Sequence, residues 1–246
     1  MIIRALAGAA VGLALVSAPA SASASAEPVK GAPELTHNEV YKAAKLPKVS
    51  CKLTKGTSKA STQKYVTGLV GCLNKAWKPA IKDFRPVEVV FKDADDKQSC
   101  STGMDVSRSF SEICAVQIKV RLADDWIRAK SDLAVFTSIT RTWSSVVTGQ
   151  TGIGEAWWGL ENDRSESMMN EHNRRYYLQI DCFQAVSAKA LGRQVKDWKP
   201  VVKVPEFWKN RFHGKTANRL YWLEKGYKAG KPGACNTWTA GSAKVA

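Results

Sequence analysis

The sequence predicts a single α+β domain in which a small sheet packs against central helices and disulfides close the structure. Three observations predict this class. Apolar residues recur at three- and four-residue spacing over 62–77 and 133–147, which marks helices with one buried face. Two short runs, PVEVVF at 86–91 and VQIKVRL at 116–122, read as strands, the second by strict alternation. Six cysteines follow an export-like leader, a pattern that suggests three disulfides.

The chain opens with that leader. Residues 1–26 place Arg4 ahead of an apolar run and end on Ala24-Ser25-Ala26. This is the pattern of a cleavable signal peptide, with Glu27 as the expected first mature residue. The apolar run is too short for an ordinary membrane span, and no later stretch suits one; the rival reading is an uncleaved anchor. Removing 26 residues from 246 leaves 220, enough for one sizeable core. Arg4 is the only charge removed, so the net charge falls from +15 to +14. An exported chain this basic would meet anionic envelope polymers rather than intracellular nucleic acid. The charge is spread along the chain, so a solvated surface without a specific partner accounts for it equally well.

Residues 27–50 are rich in Pro, Ala and Lys and are expected to form a flexible arm. A single domain is expected over 51–246. Cys51 to Thr62 reads as loop, then Tyr65, Val66, Leu69, Leu73 and Trp77 make a helical core face. After the first strand come Asp93, Asp95 and Asp96; the rest of a calcium-loop pattern is absent, so a solvated acidic turn is expected. In the second strand Val116, Ile118, Val120 and Leu122 face one way. Asp124, Asp125 and Trp126 follow as a turn with a core tryptophan. In Leu133 to Val147, Phe136, Ile139, Trp143 and Val146 form the apolar face, beside Ser138, Thr140, Arg141, Thr142 and Ser145. Gly149 to Gly159 reads as a glycine-rich loop carrying Trp157 and Trp158, without the spacing of a phosphate loop. Glu161 to His172 reads as linker or helix cap. A helix is expected over 173–191 with Asp181 on its inner stripe, where a buried carboxylate needs partners; Arg174, Arg175 or a backbone amide would supply them. Trp198 to Phe212 reads as loop and short helix. Lys215 to Gly226 is the last expected helix, with Gly226 as its C-cap.

Local proximity favours Cys51–Cys72 and Cys100–Cys114 among the fifteen possible pairings, which leaves Cys182 with Cys235. A zinc–thiolate site is disfavoured because no CxxC pair exists.

Four stretches together carry a family resemblance: VFTSITRTWSSVVTG, NRRYYLQIDCFQA, HGKTANRLYWLEKGY and ACNTW. Strongest from Val135 to Trp238, they resemble secreted bacterial neutral zinc metallopeptidases, whose central helices read like HEYGHHVQNLTG and SRRVELQADCFAG. The resemblance implies a zincin-like fold and the Cys182–Cys235 bridge. It places the family's two zinc histidines on Ser138 and Thr142, its general-base glutamate on Ile139 and its glutamate ligand on Tyr177. HExxH works because positions i and i+4 share a helix face and both imidazoles reach one zinc, while the glutamate activates the metal-bound water. Hydroxyls are poor zinc ligands, isoleucine accepts no proton, and tyrosine would ligate only as a phenolate. The three histidines, His37, His172 and His213, make no second HExxH.

The resulting expectation is an exported, catalytically inactive relative of these peptidases, a monomer without cofactor, acting as a binding or regulatory protein. Its cleft would be lined by Trp143, Trp157, Trp158, Tyr177, Asp181 and His213, and would hold peptide or anionic envelope polymer. Two alternatives stand beside it. One is a hydrolase rebuilt from Asp181, Glu171, His172 and His213, with Glu155 nearby. The other is a basic envelope-associated protein that binds anionic polymers.

Overall fold

The computed structural model describes residues 29, 32–92, 100, 108–114, 117–160, 165–202 and 209–246. The leader, Asp93, Asp95, Asp96, Val116, Glu161, Pro205, Phe207 and Trp208 lie outside these residues. The elements in chain order are α1 (Pro33–Thr36), α2 (Lys59–Trp77), β1 (Glu88–Lys92), β2 (Phe110–Cys114), β3 (Gln117–Arg121), α3 (Asp124–Ile127), α4 (Leu133–Gln150), α5 (Ile153–Trp158), α6 (Glu166–Ala190) and α7 (Thr216–Ala229).

The chain is α+β, as expected. Its sheet has the order β1-β3-β2, with β1 parallel and β2 antiparallel to β3. Ile118 and Val120 of β3 are buried while Gln117, Lys119 and Arg121 are half-buried, so alternation predicts the face correctly. Helix α2 packs on β1 and α4 on β2. Helix α6 is central: it packs on both α4 and α7, and most of its residues from Leu178 to Ala190 are buried. The core is rich in large rings, with Trp77, Trp143, Trp222 and Trp238 all fully enclosed.

Helix starts follow capping chemistry. Ser58 and Ser61 form a reciprocal box at the start of α2, and Ser165 accepts from the Met168 amide at the start of α6, each satisfying an amide with no helical partner. Helix α6 therefore begins at Glu166, not near Asn173, and residues 166–172 are helix rather than linker. The glycine-rich stretch after α4 also differs from its expected loop. Gly152 takes a left-handed turn (φ 76°), after which Ile153–Trp158 winds as α5. The left-handed region suits glycine, so the glycine sets a helix–helix corner. β2 arises within the loop expected between Cys100 and Cys114. At the other end, α7 runs on to Ala229 and is capped by Gly230 (φ 63°). Gly226 lies inside it, where a β-carbon would come within 2.4 Å of the Cys182 carbonyl oxygen. Its role is close helix packing, not capping.

Residues 32–50, expected as an arm, pack onto the domain. Leu35 and Val40 are buried, and the Leu46 and Val49 amides donate to the Gly230 and Ala190 carbonyls. The three disulfides are Cys51–Cys72, Cys100–Cys114 and Cys182–Cys235, and the last ties α6 to the C-terminal segment. No helix among the described residues is long and apolar enough to cross a membrane.

Candidate functional site

Helix α4 presents Ser138 and Thr142 to the sheet. They stand one turn apart, so their side chains share a face. Ser111 of β2 reaches both: its Oγ lies 2.8 Å from Ser138 Oγ and 2.7 Å from Thr142 Oγ1. Thr142 Oγ1 also lies within 3.2 Å of the Ser111 carbonyl, to which it donates. Three hydroxyls thus form a closed chain where two metal-binding side chains would converge in the resembled family. Ile139 is fully buried in the core, and several other α4 hydroxyls turn back on the helix. Thr140 and Ser144 donate to the carbonyls of Phe136 and Thr140, a back-bonding mode that satisfies a buried hydroxyl locally.

Beside this chain lies a buried ionic cluster. Asp181 of α6 is wholly enclosed. It accepts from the Arg141 guanidinium of α4 and from Arg219 of α7, the latter through Nε at 2.7 Å and Nη2 at 3.1 Å. Arg219 also donates to the Val202 carbonyl. Burial alone would raise the Asp181 carboxyl, but Arg141 and Arg219 outweigh it and hold the group below the ordinary carboxylate range. The expected partners Arg174 and Arg175 are engaged elsewhere. Arg174 donates to the Val245 carbonyl, and Arg175 pairs with Glu171 and donates to the carbonyls of Thr237 and Ala240. Neither points to Asp181 because each anchors the C-terminal segment.

His213 completes the cluster, with Nδ1 3.4 Å from Arg141 Nη2. A guanidinium only donates, so Nδ1 accepts and the imidazole carries its proton on Nε2. Burial, with Arg141 and Arg219, pushes the His213 pKa down to about 3, against the pull of Asp181. The ring is therefore neutral over the ordinary pH range. Together Thr137, Ser138, Arg141, Gln184, His213 and Arg219 line most of a cavity of about 280 Å³.

Aromatic rings lie beside two of the residues that line this cavity, His213 and Arg141. The Tyr177 ring centroid lies 5.1 Å from His213 and 5.9 Å from both Phe212 and the Arg141 guanidinium. Trp157 stacks on Tyr176 at 4.0 Å and meets Tyr177 edge-on, and Trp158 extends from Trp157 with most of its surface exposed. Burial raises the Tyr177 hydroxyl above its usual pKa while Arg141 opposes this, so it stays a phenol.

Of the expected cleft residues, Tyr177, Asp181 and His213 come together and His213 lines the cavity, while Trp157 and Trp158 lie beyond Tyr177 and do not line it. Trp143 does not belong. It is fully buried against Phe84, and its indole N–H has no partner among the described residues; its ring points from the inner face of α4. The rebuilt-hydrolase set does not converge. Glu171 and His172 precede Asp181 by about three turns of α6, roughly 15 Å of rise, where Glu171 pairs with Arg175 and His172 lies against Trp238. Asp125 accepts from the Ser109 amide and hydroxyl, and Trp126 is buried, as a turn and core pair. Arg219, Gln184 and Ser111 carry the site without an expectation from sequence. A buried Asp181 demanding a cation was the available signal, but it does not say from which helix the cation comes.

The side chains present do not fit a zinc ion of the kind the family resemblance implies. Two hydroxyls and a phenol replace imidazoles and a carboxylate, and the Arg141 charge opposes a cation beside them. Among the described residues Cys100, Glu112 and Cys114 are the one cluster of metal-ligating types, and its sulfurs are consumed in a disulfide. Comparison with known proteins found no matching family model, no matching curated protein and no matching solved structure.

Proposed function

We propose that this chain is an exported, non-catalytic relative of the neutral zinc metallopeptidases that uses the former metal cleft to bind a ligand. The observation that carries the reading is the Ser138–Ser111–Thr142 hydroxyl chain beside a fixed arginine. Positions that would hold and activate a metal-bound water carry groups that neither ligate zinc well nor remove a proton at neutral pH. Ile139 in the core leaves no carboxylate at the expected base position. Three disulfides suit an oxidising compartment, which supports export. The ligand is taken from the classes that the neighbouring aromatic rings and the basic composition suit, a peptide or an anionic envelope polymer.

Elemental mass spectrometry of secreted protein never exposed to a nickel column, with a peptidase assay on the same sample, tests the reading. Zinc far below one per chain and no cleavage are expected. One zinc per chain with cleavage would overturn it. A Ser138→His/Thr142→His/Tyr177→Glu variant is expected to gain zinc; a folded variant that gains none would reject the proposed register.

A further inference from the structure

We infer that the cavity between α4, α6 and α7 is a receptor for a single carboxylate, with Arg141 as the pairing cation and Tyr177, backed by Phe212, flanking the apolar body that carries it. The inference rests on the cleft-binding reading and names the chemistry of its ligand.

Charge is the first argument. Two guanidiniums, Arg141 and Arg219, face one carboxylate, Asp181, and His213 adds none because it is neutral. Among the described residues the cavity therefore holds a surplus of one positive charge. A monoanion balances that surplus, whereas a phosphate dianion would exceed it. Arg141, the partly exposed member, is where an added anion meets that surplus.

Donor geometry is the second. All three hydrogen-bonding groups of Arg219 are committed, Nε and Nη2 to Asp181 and Nη1 to Val202. Arg141 spends one nitrogen on Asp181 and a long contact on His213. It keeps N–H groups in hand and is the most exposed member, at 27% against 0% for Asp181 and 2% for Arg219. The His213 Nδ1 contact leaves Nε2–H as a donor. The hydroxyl chain adds none: Thr142 donates to the Ser111 carbonyl, Ser111 to Thr142 and Ser138 to Ser111, so its three protons are spent within it. The cavity is rich in donors, and a planar two-oxygen acceptor matches a guanidinium edge.

Size and surroundings are the third. About 280 Å³ lies at the small end of ligand sites, which suits one small acid or one acidic chain end rather than an extended polymer. Tyr177 and Phe212 stand edge to face beside Arg141, a surface on which a flat apolar group stacks.

Calorimetric titration of the intact protein with benzoate, benzamide and inorganic phosphate tests this. Benzamide has the shape of benzoate without its charge. Benzoate is expected to bind at least tenfold more tightly than benzamide, and phosphate more weakly than benzoate. Arg141→Gln is expected to cost at least tenfold in benzoate affinity and to leave benzamide unchanged; Asp181 keeps its Arg219 partner in that variant. Should Arg141→Gln fail to fold, Arg141→Lys retains the charge but loses the fork, and a severalfold loss is expected. In the unaltered protein, benzoate should shift the NMR signals of Arg141 Nε–H and the Gln184 side-chain amide. Equal affinities for benzoate and benzamide, indifference to the Arg141 changes, or shifts confined to other parts of the protein would each overturn the inference. A zinc-free, inactive protein that failed these tests would reject the carboxylate receptor alone. A zinc-loaded, active one would reject the non-catalytic reading, whatever benzoate does.

Discussion

Replacing Asp181 with asparagine separates charge from shape at the centre of the molecule. The side chain is fully enclosed and its two oxygens receive Arg141 and Arg219. Asparagine keeps the volume and one acceptor but turns the other position into a donor that faces a guanidinium. Arg219 is 2% exposed, so its charge would stay buried without a counter-charge. Removing one partner of a buried pair costs about 3–5 kcal/mol, mainly through the charge left behind. For a domain of this size each kcal/mol moves Tm by roughly 2–4 °C, so a fall of roughly 6–20 °C is expected. Circular dichroism melts of the disulfide-intact protein would read it. The double change Asp181→Leu/Arg219→Met, which removes the most buried charges together, should recover most of the loss because apolar replacement of a buried pair is often neutral. A fall below about 2 °C for Asp181→Asn would refute the account of this cluster as buried and charged. The acid limb gives a second check. Asp181 is held below its ordinary pKa, so its contribution is full above about pH 4 and is lost as pH falls through the lower, folded value.

Other perturbations follow from neighbouring geometry. His213 binds its proton only near pH 3 in the folded state but near 6.5 when unfolded. Stability should therefore decline as pH falls from about 6.5 towards 3, and His213→Gln should flatten that part of a stability-versus-pH series. Gly226→Ala would press a methyl group against the Cys182 carbonyl and sulfur, at 2.4 and 2.9 Å, and should cost about 1–3 kcal/mol in urea unfolding. Tyr65 donates to Asp132 at 2.7 Å, beside the Arg193 pair; Tyr65→Phe should cost about 1.5–3 kcal/mol, and a neutral result would deny that hydrogen bond a role. Among the disulfides, Cys182–Cys235 spans 53 residues against 14 for Cys100–Cys114. Paired alanine changes should cost about 4 kcal/mol for the first and about 3 for the second in the loop-entropy account.

Periodicity made the scaffold readable and left the site partly hidden. The inner faces of α2, α4 and β3 follow from spacing alone because one-sided burial imprints a repeat. The extra turns of α6 escape a periodicity reading because ESMMNEH at 166–172 is mostly polar. What makes it helical is the Ser165 cap and the Arg175 pairing to Glu171, neither of which leaves an apolar stripe. β2 escaped because FSEIC is short and one of its buried residues is Glu112, so its pattern does not alternate as apolar and polar. Trp143 was misplaced for the opposite reason. Its position on the inner stripe of α4 assigns it to the core, and that burial overrides its place among the expected cleft residues. Asp181 was rightly read as buried and paired, but its partners come from helices 40 residues before and 38 after it, a distance no local pattern spans.

The position of Arg141 gives the cluster its sense. In a metallopeptidase of the resembled kind, a zinc ion ties the two central helices by taking ligands from each. Here α4 and α6 are tied by an ion pair, Arg141 to Asp181, and Arg219 extends the tie to α7. On the proposed reading a fixed guanidinium stands in for the metal as the local positive charge. The two differ in what they can do. A zinc ion offers an open coordination position and makes its bound water acidic; a guanidinium offers directed N–H groups and stays protonated. Such an exchange removes hydrolysis while keeping affinity for a negative oxygen. A tie of this kind needs no metal supply, because its charge is encoded in the chain. Chelator treatment should therefore leave the melting temperature unchanged within about 1 °C, and a large drop would mean that a bound metal still holds these helices together.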